Sequence, residues 1–469
     1  MTLVAALTVA LAGTSVAWAV TGRDTAPRHD AKRHVHVKPS STTTSPSSTV
    51  PTTVASTPVP AWRVAWGVAM AWGYGNADDV TVRQLAQVGI GGRSIRVRIS
   101  NAFGNQPLVV ASATVGVAMG ARGAVVAGSL EPLTFGGQPS LTVPVGQVAY
   151  SDPVPMRVHA LETLAISVFV PGPELVTLHP CCTAGNASFF TANGGGNVTT
   201  AVSASAFPYA SPWSRWVDAV DVLTAAAKGS VIALGDSITD GYHTSIRWTN
   251  ILQSRIDLLP RDERVAIVNE GISANTLTDT AVNFSHVGGG PPGLDRLEQD
   301  ALSQSGVSTV VLFLGTNDLY FGATAQQVIA GYEQAIAEVH QAGIRIIGVT
   351  IIPRAGSEGW NPTKEAYRQQ INHWIRTSGA FDAVIDFSAV VHDVFNGGCD
   401  PEVMLPAYDS GDHVHPGPAG QTAMADSVNT TLFGIPQAPL VPELVTAIPT
   451  TGCAAAAAGS TSSSGASGT

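Results

Sequence analysis

This chain is poor in charge. Only 12% of its 469 residues are Asp, Glu, Lys or Arg, and 24 basic against 34 acidic side chains leave a net charge of −10. That balance offers no general attraction to a phosphate backbone or an anionic membrane, so no nucleic-acid partner is expected. Cysteine is sparse too: Cys181, Cys182, Cys399 and Cys453 are the four, and no CxxC spacing points to zinc or thioredoxin chemistry. Long apolar runs are limited to one, residues 3–20 (LVAALTVALAGTSVAWAV). No Lys or Arg precedes it, whereas Arg23, Arg28, Lys32 and Arg33 follow it, opposite to the usual bias of a secretory signal.

What is present points outward. The apolar run ends in Ala17-Trp18-Ala19, the small-x-small pattern of a signal-peptidase site. Residues 1–22 are therefore read as a signal peptide, with an uncleaved anchor as the alternative, and the chain as secreted or held at the cell surface. An oxidising compartment would permit disulfides. A Cys399–Cys453 bond would clip the C-terminal tail beside the segment carrying Asp412 and His415 and leave Cys181–Cys182 as a vicinal pair; buried free thiols are the alternative. Residues 23–60 begin RHDAKRHVHVK and continue as a Ser/Thr/Pro tract with almost nothing to bury, which is a linker, its His-x-His included. Residues 437–469 close the chain as a low-complexity tail.

Between these flanks, 45% hydrophobic residues supply material for cores, and 48 glycines with 30 prolines supply turns. From residue 61 to 228 the text reads as short strands: Ser94 to Ser100, Leu141 to Val145 and Leu164 to Val170 alternate or run apolar, with FGN, FGG and PGP turns between them. An all-β, jelly-roll-like domain is expected, with only a weak helical period near Val80 to Val88. From 229 to 436 strands alternate with amphipathic helices. Candidate strands are Val231 to Leu234, Val265 to Asn269, Val307 to Leu314, Ile344 to Ile352 and Ala383 to Phe387. Helices are expected near Trp248 to Leu258, Leu294 to Ser303, Ala325 to Gln341, Thr363 to Thr377 and Pro418 to Leu432. That alternation is an α/β fold, a three-layer α/β/α sandwich on a parallel sheet, with its ligand site beyond the carboxyl ends of the strands.

Four segments converge on that edge. Ser237, in VIALGDSITDG, follows the first strand; Gly271 follows the second; Asn317, in GTND, follows the third; and Asp412 and His415, in DHVHP, precede the last helix. Ester hydrolysis needs a nucleophile, a base, an orienter for the base and donors for the oxyanion. Ser237 would attack, His415 would take and return its proton, and Asp412 would fix the imidazole tautomer. The Ser237 and Gly271 N–H groups and the Asn317 amide would form the oxyanion hole. This chemistry calls for no metal and no organic cofactor. Activity should rise with pH through the His415 pKa, near about 6.5 if unperturbed and higher if the Asp412 pairing dominates.

The four blocks resemble those of the SGNH or GDSL hydrolases, named for Ser, Gly, Asn and His: GDSITDG, NEGISANT, GTND and DHVHP occur in family order over about Ser230 to Gly434. The resemblance implies a five-stranded parallel sheet in flavodoxin-like order and a serine esterase. Thr239 stands where the Gly-x-Ser-x-Gly elbow of α/β-hydrolases has its final glycine, so that motif is absent. WGVAM and RVRISNAFG resemble phrases of the β-domain that precedes such catalytic domains in exported proteins, a group placed near acetylxylan-esterase-like members. The expected substrate is an acyl ester, with short acyl groups on an acetylated polysaccharide preferred and lipid or lysophospholipid esters as the alternative; a cell-wall association and a monomeric state are also expected. The rival class is a carbohydrate-binding or cell-wall protein whose β-domain carries the function.

Other residues have plainer readings. Asp412, His413 and His415 invite a metal site, but alternate residues need not converge. Asp236 and Asp240 invite a glycosidase pair, but read more simply as loop and cap residues. Tyr242, His243, Trp248 and Trp360 would line the pocket or pack loops over the sheet. Arg96 and Arg98 alternate on one strand face, which a solvated face or pairing between domains explains.

Overall fold

The computed structural model describes residues 59–180, 188–244, 246–280, 289–393 and 402–441. The expected signal peptide, nearly all of the linker, the four cysteines with their pairing, and the tail beyond residue 441 lie outside these. Among the described residues no helix is long and apolar enough to cross a membrane.

The amino-terminal half is antiparallel β throughout its paired strands. Its longest sheet follows the order Tyr209–Ser211, Ser188–Phe190, Val80–Gln87, Thr163–Val170, Ser112–Met119, Ala124–Val125. A four-stranded sheet joins Ala61–Gly67, Val217–Thr224, Ile95–Ser100 and Val148–Tyr150, and a three-stranded one joins Ser214–Arg215, Glu174–His179 and Trp72–Ala77. The weak helical period near Val80 resolves as a strand in the middle of the longest sheet. Its alternate residues Val80 and Val82 enter the core, and Arg83 is buried on the other face, bonded to Ser167 Oγ at 2.8 Å.

The carboxyl-terminal half is the expected α/β/α sandwich. Five parallel strands lie in the order Val265–Gly271, Gly229–Gly235, Val307–Phe313, Arg345–Val349, Ala383–Ile385, which is the flavodoxin-like order. Period-two alternation makes the layers: Val231 and Ala233 pack with helices Trp248–Ile256 and Pro418–Ser427, while Ile232 and Leu234 face helices Ala325–Gln341 and Pro362–Thr377. Local chemistry sets the helix starts. Thr324 and Gln327 form a reciprocal capping box, and Asn361 caps a helix whose first residue is Pro362.

Two helices differ from expectation. The last one stops at Ser427 rather than running to Leu432, because the buried Arg255 guanidinium takes the carbonyls of Ala425 and Val428 and Asn429 caps a separate 3-10 turn. The stretch Leu294 to Ser303 splits into an α-helix, Gly293–Leu297, and a π turn, Glu298–Leu302. Its Arg296 reaches beneath the sheet edge, donating to Gly235 O at 3.0 Å, Glu270 O at 2.9 Å and Asn275 Oδ1 at 3.1 Å. One side chain thus ties the ends of two adjacent strands to the loop that follows the second.

The two halves share one continuous core: Val64, Val68, Val97 and Val220 belong to the same buried cluster as Ala266, Val268 and Ile232. Strand Ala61–Gly67 lies against the edge strand Val265–Gly271 and covers it, with Ser230 Oγ donating to Val64 O at 2.7 Å. Arg96 and Arg98 face this junction. Arg96 bonds Asp221 at 2.8 Å and Ser305 Oγ at 2.7 Å, and Arg98 bonds Asp218 at 2.8 Å, with both side chains of the latter pair 2% exposed. Removing one member of a dry pair strands the other charge. Asp218→Ala should therefore destabilise the protein by about 3–5 kcal/mol, read as a lower denaturation midpoint at unchanged slope; a midpoint shift near zero would contradict the assignment.

Candidate active site

The nucleophile turn begins where strand Gly229–Gly235 ends. A Cβ on Gly235 would stand 2.3 Å from Thr239 Oγ1, so only glycine lets the following turn fold back so closely. Asp236 then caps the short helix Ser237–Asp240 by accepting from Ile238 N–H at 2.9 Å. Burial pushes the Asp236 carboxyl up to about 7, against that hydrogen bond and Arg354. It is a cap, as is consistent with its plainer reading, and no glycosidase pair is formed: Asp240 is engaged by His179 Nε2 at 3.2 Å and Ser273 Oγ at 2.7 Å.

Ser237 is 7% exposed, and its Oγ lies 2.8 Å from His415 Nε2. His415 Nδ1 lies 2.6 Å from Asp412 Oδ2. The other carboxylate oxygen, Oδ1, accepts from the backbone N–H groups of Val414 and His415, each at 2.9 Å. Residues 178 positions apart in sequence thus form one line of hydroxyl, imidazole and carboxylate. His413 does not join it: its Nδ1 pairs with Asp409 Oδ2 at 2.6 Å, so the two imidazoles of His-x-His turn to different carboxylates.

Burial lowers the His415 pKa below its usual value of 6.5; the Asp412 hydrogen bond and charge work the other way and are outweighed, with Arg354 and His243 adding to the lowering. Of the two sequence-derived possibilities, an unperturbed or a raised value, neither holds, because the desolvation of a largely buried ring wins. Asp412 is held down to about 2: burial pushes it up, but the His415 ring and the two backbone N–H groups together prevail.

The donors around Ser237 divide unevenly. Asn317, on helix Thr316–Phe321, donates one amide hydrogen to Asn275 O at 2.9 Å and has a second to give. The neighbouring Asp318 carboxylate accepts from Leu277 and Thr278 N–H at 2.8 and 2.9 Å, so the GTND segment grips the loop of the NEGISANT segment twice. Gly271 ends strand Val265–Gly271, and its N–H is engaged by Asn269 Oδ1 at 3.0 Å. Its lack of a side chain matters for packing: a Cβ there would stand 2.5 Å from Asp240 N and 3.0 Å from Asp236 O. Three residues on, Ala274 holds a φ of +62°, a conformation unfavourable for a residue with a Cβ, and its N–H meets no acceptor among the described residues. The Ser237 N–H, in the first turn of its helix, is likewise uncommitted.

Sequence reasoning missed three further contributors. Arg296 and Asp318 brace the loops as described. His179 comes from the β-rich half, its Nδ1 on Ala69 O at 2.8 Å and its Nε2 on Asp240, so the amino-terminal half is built into the nucleophile turn. No local signal marks these residues, since each works across a gap of tens of positions. Tyr242 and His243 do reach the site: their rings lie 4.9 and 5.7 Å from that of His415. Trp248 does not, being buried against Phe387. Trp360 and Tyr320 each pack against the Arg354 guanidinium, whose carbon is 5.1 Å from each ring centre.

A serine hydroxyl, an imidazole and a carboxylate in line at the carboxyl edge of a parallel sheet have the layout of a hydrolase site. Residues 233–423, most of the α/β half, match the model of the GDSL-like lipase/acylhydrolase family. Among solved structures, an acetylxylan esterase from Geobacillus stearothermophilus is similar at 19% identity over 45% of this chain and 96% of that one, with a TM-score of 0.34. A GDSL-like lipase from Bacteroides thetaiotaomicron is similar at 18% identity over 44% and 88%, with a TM-score of 0.33. A member of the lipolytic G-D-S-L family from Veillonella parvula is similar at 21% identity over 42% and 94%, with a TM-score of 0.29. No curated protein matches the chain.

Proposed function

We propose that this protein is an exported serine esterase that removes short acyl groups from carbohydrate. The observation that carries the reading is the unbroken line from Ser237 Oγ through His415 to Asp412, at 2.8 and 2.6 Å. His415, neutral because burial disfavours its charged form, accepts the Ser237 proton as Oγ attacks the ester carbonyl, and then passes that proton to the leaving alcohol. Asp412 holds the proton-bearing Nδ1 and stabilises the transient imidazolium. Water, deprotonated by the same ring, releases the acid. The oxyanion is taken by the Ser237 N–H, the free amide hydrogen of Asn317 and the Ala274 N–H, while Gly271 keeps the space that lets these loops meet.

The preference for a sugar ester rests on what surrounds His415. Tyr242, His243 and the Arg354 guanidinium between Tyr320 and Trp360 bring aromatic faces and hydrogen-bond donors, which suit a polyhydroxylated alcohol better than a long hydrocarbon tail. Export rests on residues 3–20 and Ala17-Trp18-Ala19. The test is hydrolysis of p-nitrophenyl acetate, butyrate and palmitate, together with acetate release from acetylated xylan. Acetate preference with release from xylan is expected; palmitate preference would redirect the assignment to lipid esters, and no hydrolysis at all would overturn it.

Two outcomes follow from the geometry. In a pH series, kcat/KM should rise with pH and level off near neutrality, with the midpoint of its acid limb below about 6.5, since His415 is inactive when protonated and its pKa is lowered. An optimum near about pH 4 would contradict the base assignment. Asn317→Ala should lower kcat by about 10²- to 10³-fold with little change in KM; a loss confined to KM would place Asn317 in ground-state binding instead.

A further inference from the structure

A cleft of about 360 Å³ opens in the β-rich half, where strand Trp72–Ala77 and its partners Glu174–His179 and Ser214–Arg215 part from Val80–Gln87, Ser188–Phe190 and Tyr209–Ser211. Its rim is aromatic. Tyr74 is 62% exposed and Tyr209 49%, unusual for rings of this size. Each is backed by a second ring: Trp213 meets Tyr74 edge-on at 6.2 Å, and Phe190 stacks on Tyr209 at 5.6 Å. Both faces are therefore held in place before any ligand arrives.

The cleft also holds donors with nothing to donate to. Trp216 lines it, is fully buried, and its Nε1 has no hydrogen-bond partner among the described residues. Trp216 also sits at a φ of +56°, a strained backbone conformation for so bulky a residue, of the kind that clusters at binding sites. At the mouth the exposed Asn76 side-chain amide is uncommitted among the described residues. A hydrocarbon would cover the rings and leave these donors unpaired. A fully polar ligand would satisfy the donors and waste the rings.

We infer that this cleft is a second binding site, for an oligosaccharide of pyranose rings. A pyranose carries both complements: C–H faces that pack on the negative faces of Tyr74 and Tyr209, and hydroxyl oxygens that accept from the Asn76 amide and the Arg215 guanidinium. Arg215 also lines the cleft: one of its nitrogens donates to Ser188 Oγ at 2.6 Å and the guanidinium stands over the Phe190 ring, which leaves further N–H donors for a ligand. Leu178 lines the cleft, and the next residue, His179, bonds Asp240 in the nucleophile turn, so a saccharide here is held on a strand that continues to the catalytic loops. The inference does not rest on the esterase reading.

The test uses the full chain carrying Ser237→Ala, titrated calorimetrically and by tryptophan fluorescence with xylohexaose, cellohexaose, mannohexaose and chitohexaose. At least one should bind at one site per chain. Tyr74→Ala combined with Tyr209→Ala should weaken that binding by about tenfold or more, and Asn76→Ala should weaken it by a smaller factor. The tyrosines and Asn76 are exposed, so these variants should melt as the parent does. Binding of none of the four sugars, binding that survives the double variant, or uptake of an apolar dye alone by the cleft would each overturn the proposal. Hydrolysis of p-nitrophenyl acetate by the unaltered chain is scored separately, so failure of either reading is recognisable by itself.

Discussion

Ser237→Ala should lower kcat on p-nitrophenyl acetate by about 10⁴-fold or more while leaving KM within a few-fold. In the proposed mechanism the hydroxyl forms the bond to the acyl carbon, and among the described residues no other group is hydrogen-bonded to His415 Nε2: the rings of Tyr242 and His243 lie beside that imidazole without bonding to it. Removal of one small, partly accessible oxygen leaves the fold untouched, so the melting temperature should not move. The residual rate measures what the oxyanion donors and binding achieve without a nucleophile. Mutant and parent turning over equally would remove Ser237 from the mechanism altogether.

The second large effect belongs to the orienting carboxylate. Asp412→Asn should cost about 10³- to 10⁴-fold in kcat, although it changes one atom and keeps the shape. Asp412 has two duties in this structure. Its Oδ2 receives the His415 Nδ1 hydrogen, which sets Nε2 as the acceptor facing Ser237; its Oδ1 receives the N–H groups of residues 414 and 415, which fixes the loop that carries the ring. An amide can keep one of these duties but not both. If its nitrogen faces Nδ1, the ring flips tautomer and presents N–H to the serine; if its oxygen does, the amide hydrogens confront the two backbone donors. The acid limb of the pH profile should also fall further, because the imidazolium loses its counter-charge. A loss below tenfold would mean that the loop, and not the charge, positions His415.

Much of this was legible in the sequence. The alternation of strands and helices, the helix Ala325–Gln341 to the residue, and Ser237, His415 and Asp412 as one constellation all follow from patterns local to a few residues, period-two and 3.6 alternation, caps, and short polar blocks after strand ends, whereas the order of the strands in the sheet is what the family resemblance implies. Where the reading was off, a distant side chain intervened. The last helix stops at Ser427 because Arg255, more than 160 positions earlier, takes its terminal carbonyls. The stretch near Val80 is a strand because Thr163–Val170 pairs with it along its whole length.

The site shows the same division. Composition and motif pointed to the groups that carry the proposed chemistry, since a nucleophile, a base and an amide donor are properties of side chains and survive unfolding. Which backbone N–H is free to meet an oxyanion is not such a property. Gly271 and Ala274 are equally available as donors in the text of the sequence, and only the fold engages the first with Asn269 and leaves the second open at a strained φ. The same holds for the His415 pKa, where the competition between burial and Asp412 is decided by how much water the folded loops exclude, and for His179, whose place against Asp240 exists only once the two halves share a core. Local pattern is written along the chain; desolvation and contact between distant segments arise only when the chain closes on itself.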